Sequence, residues 1–499
     1  MQASKLFAPL VVAFCLVPLS CNDAKPDDAI PQRFQAFAQA VEQDRVALGA
    51  PGIAVAVVEK GEVTFAHGFG RKDPTRPDPV ETTTLFRIGS CTKMLTAIAL
   101  LQNVQAAKVS LDDPITSYLP AFHLNQTPTA VAEIKVRHLL SHSGGLSDYD
   151  ETNAPAHEQT DAALEQFLTG RFADIGYVAS PPGALWAYAN PDYMLAGLIA
   201  EKTSGVTYRS LMHDKVFTPL GMDRTYFLPS EVLADGDYAV GTDCTTPDEA
   251  HCLAPEVGSV ILPDTYDNPW ARPAGLAWSS VLDLAEVARF LVHGQDDVLA
   301  SDLWAAMTSA QISTKLVGDL VSYGFGVLVA DGIGGSPGFP YRALKIVTHG
   351  GDTAGFAADI YCVPSLDLCL VALANSTGAH LANSIVVGLE TLTTLPGPST
   401  MPDVLPKPDR YPLYAGTYDD PFGVGQVTVT TDGSNVSIKV QSLDATNIPY
   451  TQQLQPTTVD NFIVTVQGTP MPLTFIADSN GVYTYIRCRP YLAIRTGGP

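Results

Sequence analysis

The sequence predicts an α/β (α+β) protein in two parts: a domain whose strands lie at both ends of its own stretch of chain and enclose a helical middle, followed by a small all-β domain. Three observations predict this. Strand-type runs occur near 53–65 and again between 323 and 373, with mostly helical patterning from about 88 to 310 between them. A stretch with Pro396, Pro398, Pro402, Pro406, Pro408 and Pro412 then marks a spacer. Beyond it, short strands at regular spacing suggest a barrel or sandwich. The 499 residues are 46% apolar and 16% charged, enough for a large core and incompatible with wholesale disorder.

Taken in order, Lys5 precedes the apolar run Leu6 to Ser20, and polar Asn22-Asp23 follows. This reads as a signal peptide over 1–21, since Pro9 and Pro18 argue against a buried helix. Leu19-Ser20-Cys21 outlines a lipoprotein cleavage site with Cys21 as lipid acceptor, although Pro18 stands where such sites want a branched apolar residue. The expected location is therefore periplasmic or extracellular, with membrane contact only through that anchor. A helix follows around Phe34, Phe37, Val41 and Val46, then a hairpin of Ile53–Val58 and Val63–Phe65 turning at Lys60-Gly61. Later strands are expected at Tyr323–Val329, Lys345–Thr348, Ala357–Tyr361 and Leu368–Leu373, and a helix at about 379–393. The C-terminal strands are read at Gln426–Thr430, Val436–Val440, Phe462–Val466 and Val482–Ile486. The divisions are 30–393 for the first domain, 394–411 for the linker and 412–499 for the β-domain, which is expected to fold separately unless it docks on its neighbour.

Charge excludes some functions. The net charge is −23, with no basic cluster to offset it, so nucleic acid and anionic membrane faces would be repelled. No internal run reaches the roughly 18 apolar residues of a spanning helix. Export permits disulfides. Cys362 and Cys369 flank a predicted turn, Cys244 and Cys252 close a polar loop, and Cys91 and Cys488 lack an evident partner. No CxxC spacing suggests zinc, and neither metal nor organic cofactor is expected.

The chemistry centres on Gly89-Ser90-Cys91-Thr92-Lys93, followed by the apolar run Met94 to Leu101. Ser90 and Lys93 are three apart and share a helix face. Gly89 lets the chain turn so that Ser90 stands at the positive helix N-terminus. A buried lysine loses its preference for a proton and can act on a serine hydroxyl. Two further stretches join it: Tyr188-Ala189-Asn190 after Pro181-Pro182-Gly183, and His349-Gly350-Gly351-Asp352 at the end of a β-run.

The set SxxK, YxN and HxG, in that order, resembles the serine β-lactamase and penicillin-binding-protein superfamily. Tyr188-Ala189-Asn190 is similar to the class C β-lactamases, and His349-Gly350-Gly351 to the related esterases and D-aminopeptidases. Ile134–Leu146, Pro219–Met222 and Ala274–Ser279 also look like that family. The resemblance covers about 30–393. It implies a β-lactamase-like fold, with an antiparallel sheet flanked by helices plus a helical subdomain, and a lipocalin-like barrel at the C-terminus. It further implies a serine hydrolase forming an acyl-enzyme on Ser90, with Lys93 taking or relaying the serine proton and Tyr188, its pKa lowered by Lys93, as general base. Asn190 would contact substrate or Lys93, the N–H groups of Ser90 and Asp352 would hold the oxyanion, His349 would face the leaving group or a substrate carboxylate, and Gly350 and Gly351 would line the substrate site with it. The substrates implied are small esters, D-amino-acid amides or peptides. A true β-lactamase or DD-peptidase is the alternative, and a non-catalytic cell-wall sensor a second one. Neutral His349 in place of a lysine disfavours carboxylate-bearing β-lactams, unless a nearby arginine replaces the charge.

Three local patterns are read as structural. Gly334-Gly335-Ser336-Pro337-Gly338 matches GxSxG, but its prolines suit a hairpin loop rather than a strand-to-helix elbow. Lys202-Thr203-Ser204-Gly205 is a helix end. His138 and His142 have i, i+4 spacing without the glutamate of HExxH.

Overall fold

The computed structural model describes residues 30–148, 160–243, 259–265, 267–336, 338–489 and 491–498. The signal peptide, Cys15, Cys21 and the Cys244–Cys252 pair lie outside them. No helix among the described residues is long and apolar enough to cross a membrane.

Helix α1 (Gln35–Ala47) leads into the hairpin β1 (Gly52–Glu59) and β2 (Glu62–Gly70). The helical middle contains α2 (Thr92–Gln105), α3 (Asn190–Ser204) and α4 (Val281–His293). The chain then returns through β3 (Ile312–Ser313), β4 (Val321–Tyr323), β5 (Leu328–Ala330), β6 (Ile346–Thr353), β7 (Phe356–Val363) and β8 (Leu368–Ala374), ending in α5 (Ala382–Leu392). One eight-stranded sheet results, in the order β2-β1-β8-β7-β6-β5-β4-β3, with every neighbour antiparallel. N- and C-terminal strands meet at β1 and β8, where Val55 faces Ala372.

Alternation along β1 builds two cores from one strand. Ile53, Val55 and Val57 pack with Phe37, Val41 and Leu389 of α1 and α5, whereas Ala54, Ala56 and Val58 belong to the core that contains α2, α3 and α4. Both faces are covered, so the strand is apolar throughout. Helix α2 is buried from Thr92 to Leu101, in keeping with its run of apolar residues on nearly every face.

Several expected boundaries shift for local reasons. The run Tyr323–Val329 divides into two strands, because Gly326 takes φ +80° and Gly324 N–H closes a turn onto Val327 O at 2.8 Å. Strand β6 does not break at its glycines but continues through them to Thr353. Val46, expected on the inner helix face, is 51% exposed near the end of α1. Cys362 and Cys369 lie opposite one another in β7 and β8 and form a disulfide. The described residues of the GxSxG stretch, Gly334–Ser336 and Gly338, lie between the bridged residues Ile333 and Arg342, and Lys202–Gly205 ends α3 with Gly205 at φ +81°.

The C-terminal part is an eight-stranded antiparallel sheet. Its strands are β9 (Gly416–Asp420), β10 (Gly425–Thr431), β11 (Val436–Val440), β12 (Gln455–Thr458), β13 (Asn461–Val466), β14 (Thr469–Ala477), β15 (Tyr483–Cys488) and β16 (Tyr491–Gly497), ordered β11-β10-β9-β16-β15-β14-β13-β12. The edge at β11 bonds to the residues just before β12, Ile438 N–H to Gln452 O at 2.8 Å and Leu454 N–H to Val436 O at 2.9 Å, which curls the sheet around Tyr414, Tyr418, Phe462 and Phe475. Strand β14 escapes sequence reading because Pro470 and Pro472 look like strand breakers.

This sheet packs on the first domain. Arg487, 6% exposed, donates to Trp186 O at 2.7 Å and Thr314 O at 2.8 Å, and Asn461 Nδ2 donates to Lys315 O at 2.8 Å. The proline-rich stretch is bonded rather than free: Ser399 N–H meets Tyr341 O at 2.8 Å, and Val459 N–H meets Val404 O at 2.8 Å. Trypsin acting on the native protein is therefore expected to spare the Arg410–Tyr411 bond. Early release of a resistant fragment beginning near 411 would contradict this packing.

Candidate functional site

Ser90 sits on a single 3₁₀ turn, Gly89–Cys91, that feeds directly into α2. Gly89 has φ +48°, and a Cβ there would lie 2.7 Å from the backbone N of Asp352. On the opposing strand β6, a Cβ on Gly351 would meet Ile88 O at 2.0 Å and Ser90 N at 3.1 Å. Two glycines thus let the nucleophile turn and β6 touch, bringing the N–H-bearing backbones of Ser90 and Asp352 to one edge of the same cleft. Thr92 Oγ1 donates to Gly89 O at 2.7 Å and the buried Cys91 thiol donates to His349 O at 3.4 Å, fixing the turn further.

Lys93 is 0% exposed. Its Nζ lies 2.8 Å from Asn190 Oδ1, 2.6 Å from Ala274 O and 3.0 Å from Ser90 Oγ. The first two partners can only accept, so they take two N–H bonds in either protonation state. The third direction faces Ser90, where an ammonium donates and a neutral amine presents its lone pair to the Ser90 O–H. Burial, reinforced by the Arg489 guanidinium, lowers the Lys93 pKa to about 7.

Tyr188 also hydrogen-bonds Ser90, and Lys93 Nζ stands 4.8 Å from the centre of its ring. The expected lowering of the Tyr188 pKa is reversed. Its side chain is partly exposed in the cleft wall, yet desolvation pushes the pKa up against the opposing effects of Ser90 and Arg489, so Tyr188 is a neutral O–H at pH 7. Asn190 opens α3, and its contact is with Lys93. Its backbone N–H donates to Asp148 Oδ1 at 2.9 Å, while Asp148 Oδ2 is 2.9 Å from the Arg489 guanidinium.

His349 differs from expectation. Its Nδ1 is 2.6 Å from Gly350 O and its Nε2 is 2.8 Å from the Tyr323 hydroxyl. The carbonyl requires a proton on Nδ1, so Nε2 accepts from Tyr323. Both nitrogens are thereby engaged within the protein, although the residue lines the cleft. Burial lowers the His349 pKa to about 4, leaving the ring uncharged at neutral pH. Ser90, Tyr188, Asn190, His349, Gly350 and Asp352 line one cleft of about 510 Å³, together with Trp186, His380 and Arg489. Gly351 contributes by backbone contact alone.

Sequence reasoning missed Asp148, Tyr323 and Arg489. Arg489 directly follows β15, and its guanidinium lies 4.6 Å from the centre of the Tyr188 ring. The side-chain pair Arg489–Asp148 spans 341 positions, and no local pattern announces it. The Ala274–Ser279 stretch did carry a signal, and Ala274 supplies a Lys93 acceptor.

Residues 37–385 match the protein family described as Beta-lactamase. The chain belongs to that family. Among its relatives, "Unguisins hydrolase ungD" of Aspergillus violaceofuscus is 28% identical over 66% of this chain and 58% of that protein's length. A D-aminopeptidase of Cereibacter sphaeroides is 24% identical over 87% of the chain and 78% of its own length. The solved structure of SurE superposes with a TM-score of 0.66 at 21% identity, covering 93% of this chain and 98% of that one. The Beta-lactamase-family fold and the C-terminal sheet are therefore shared together.

In this family member, Gly351→Ala is expected to force β6 away from the Ser90 turn. Reaction of Ser90 with a fluorophosphonate should slow by at least about tenfold, since small displacements of reacting groups are costly. Labelling at the wild-type rate would show that the close approach is dispensable.

Proposed function

We propose that this chain is an exported serine hydrolase that cleaves D-amino-acid amides, peptides or related esters through a covalent acyl-enzyme on Ser90. The observation that carries the reading is the desolvated Lys93 amine, with two fixed acceptors and its third direction on Ser90 Oγ. Lys93 takes the Ser90 proton as Oγ bonds to the substrate carbonyl carbon. The N–H groups of Ser90 and Asp352 receive the oxyanion. Neutral Tyr188 then gives its proton to the departing nitrogen or oxygen as the carbonyl–leaving-group bond breaks, and the proton on Lys93 restores the phenol. Water completes the cycle by the reverse transfers, releasing the acid and regenerating Ser90. The relatives that include a D-aminopeptidase favour the substrate class. The N-terminal apolar run and the Cys362–Cys369 disulfide favour an oxidising, exported location.

A second reading, the DD-peptidase or β-lactamase one, draws on Arg489. His349 brings no charge, whereas Arg489 puts a guanidinium on the cleft wall, where it can meet a substrate carboxylate. The preferred substrates on this account are peptides whose free carboxylate reaches Arg489, alongside neutral short esters that need no anchor.

Kinetic comparison of p-nitrophenyl butyrate, a D-alanyl amide, a D-alanyl-D-alanine peptide and a chromogenic cephalosporin tests both points. Ser90→Ala should abolish every activity, and Lys93→Ala and Tyr188→Phe should each lower kcat by about 10²–10⁴. Near-native turnover in Lys93→Ala would reject the assignment. Arg489→Ala should lower the peptide-to-ester ratio of kcat/KM by about tenfold to a hundredfold, the worth of one charge-assisted hydrogen bond. An unchanged ratio would remove Arg489 from substrate binding.

A further inference from the structure

His142 and Asp192 form a buried pair that the chemistry above leaves unused. The i, i+4 histidines separate in the structure. His138 Nδ1 accepts from Lys135 N–H at 3.2 Å at the domain edge, whereas His142 turns inward and is 0% exposed. Its backbone has φ +54°, a conformation that side-chain-bearing residues adopt rarely and that persists only where surroundings impose it. His142 Nδ1 is 2.9 Å from Asp192 Oδ2, and Asp192 too is 0% exposed. His142 Nε2 and Asp192 Oδ1 are both buried without a hydrogen-bond partner. An apolar pair of the same size would avoid that desolvation, so packing alone does not account for these residues.

What the pair touches is the segment carrying Tyr188. Ala187 N–H donates to the main-chain His142 O at 2.8 Å, and Ala189 N lies 3.3 Å from His142 Nδ1, beside the site that Nδ1 uses for Asp192. The main chain of His142 therefore holds the residue before Tyr188, and its ring lies against the residue after it and against Tyr188 itself. The His142 ring also lies against the Tyr188 ring, with centres 4.1 Å apart. Asp192 closes the arrangement from the first turn of α3, its own N–H bonded to Ala189 O at 3.2 Å. Nothing comparable holds Tyr188 through regular structure, since it precedes α3 in an irregular stretch.

We propose that His142, backed by Asp192, is a positioning residue that clamps the two neighbours of Tyr188 and thereby aims its hydroxyl at Ser90. The proposal rests on the reading of Tyr188 as the proton donor to the leaving group. His142 touches neither substrate nor reacting atoms, and its effect passes through Tyr188 alone.

The test is a double-mutant cycle on hydrolysis of a D-alanyl amide, whose departing nitrogen requires a proton, with wild type, His142→Ala, Tyr188→Phe and the double variant. His142→Ala should lower kcat by about tenfold to a hundredfold, with KM within about twofold, as expected for a misaimed group. His142→Asn should recover most of the loss, because asparagine tolerates positive φ and its amide oxygen can accept from Ala189 N–H. In the Tyr188→Phe background, His142→Ala should cost less than about twofold more. A loss that multiplies in full in that background, or an unchanged kcat in the single variant, would overturn the proposal. Should His142→Ala not fold, Asp192→Asn carries the same cycle. Failure of the wild type to form a fluorophosphonate adduct on Ser90 would instead reject the acyl-enzyme reading. A labelled wild type with a multiplicative cycle would reject only the role of His142.

Discussion

The site depends on one constraint: the amine of Lys93 is held out of water. A lysine buried in an apolar helix is costly as a cation unless its hydrogen bonds are met. Here they are met by groups from separate parts of the chain, Asn190 at the start of α3 and the carbonyl of Ala274. The fold must hold both against α2 for the amine to be tolerated, and doing so leaves Ser90 as the remaining neighbour of Nζ. Stability and chemistry are thus coupled through a single nitrogen.

The C-terminal sheet enters the same balance. Arg489 pushes the Lys93 pKa down while Asp148, its ion-pair partner, pushes it up. Arg487, a few residues earlier, is buried without a carboxylate and is held by the carbonyls of Trp186 and Thr314, with its guanidinium 4.7 Å from the Trp186 ring centre. Trp186 is two positions from Tyr188. The appended sheet therefore forms a wall of the cleft and supports the segment that bears the tyrosine.

Much of this was legible in the sequence where the signal was local. The Ser90–Lys93 spacing places both on one helix face, Gly89 marks the turn into α2, and the hairpin follows from two strand-type runs on either side of Lys60-Gly61. The rest depends on burial and on distant partners. Charge proximity suggested that Lys93 would acidify Tyr188, yet desolvation of the phenol outweighs it. His349 looked available for substrate, but Tyr323 and its neighbour's carbonyl occupy both nitrogens. Arg489 is invisible to any motif because its meaning comes from Asp148 and Tyr188, hundreds of positions away. Prolines concealed β14 and suggested a free spacer, where the structure has a bonded one.

The most direct test of the account is the protonation state of Lys93 itself. NMR titration of protein carrying ¹³C at the lysine side chains, with the Lys93 signal assigned by its loss in Lys93→Met, measures it. Because burial disfavours the cation, Lys93 should be charged below about 7 and neutral above it, against a reference of 10.5. A midpoint near 7 is the predicted result. A Lys93 that stays protonated up to pH 10 would contradict the claim that burial makes this amine the base for Ser90.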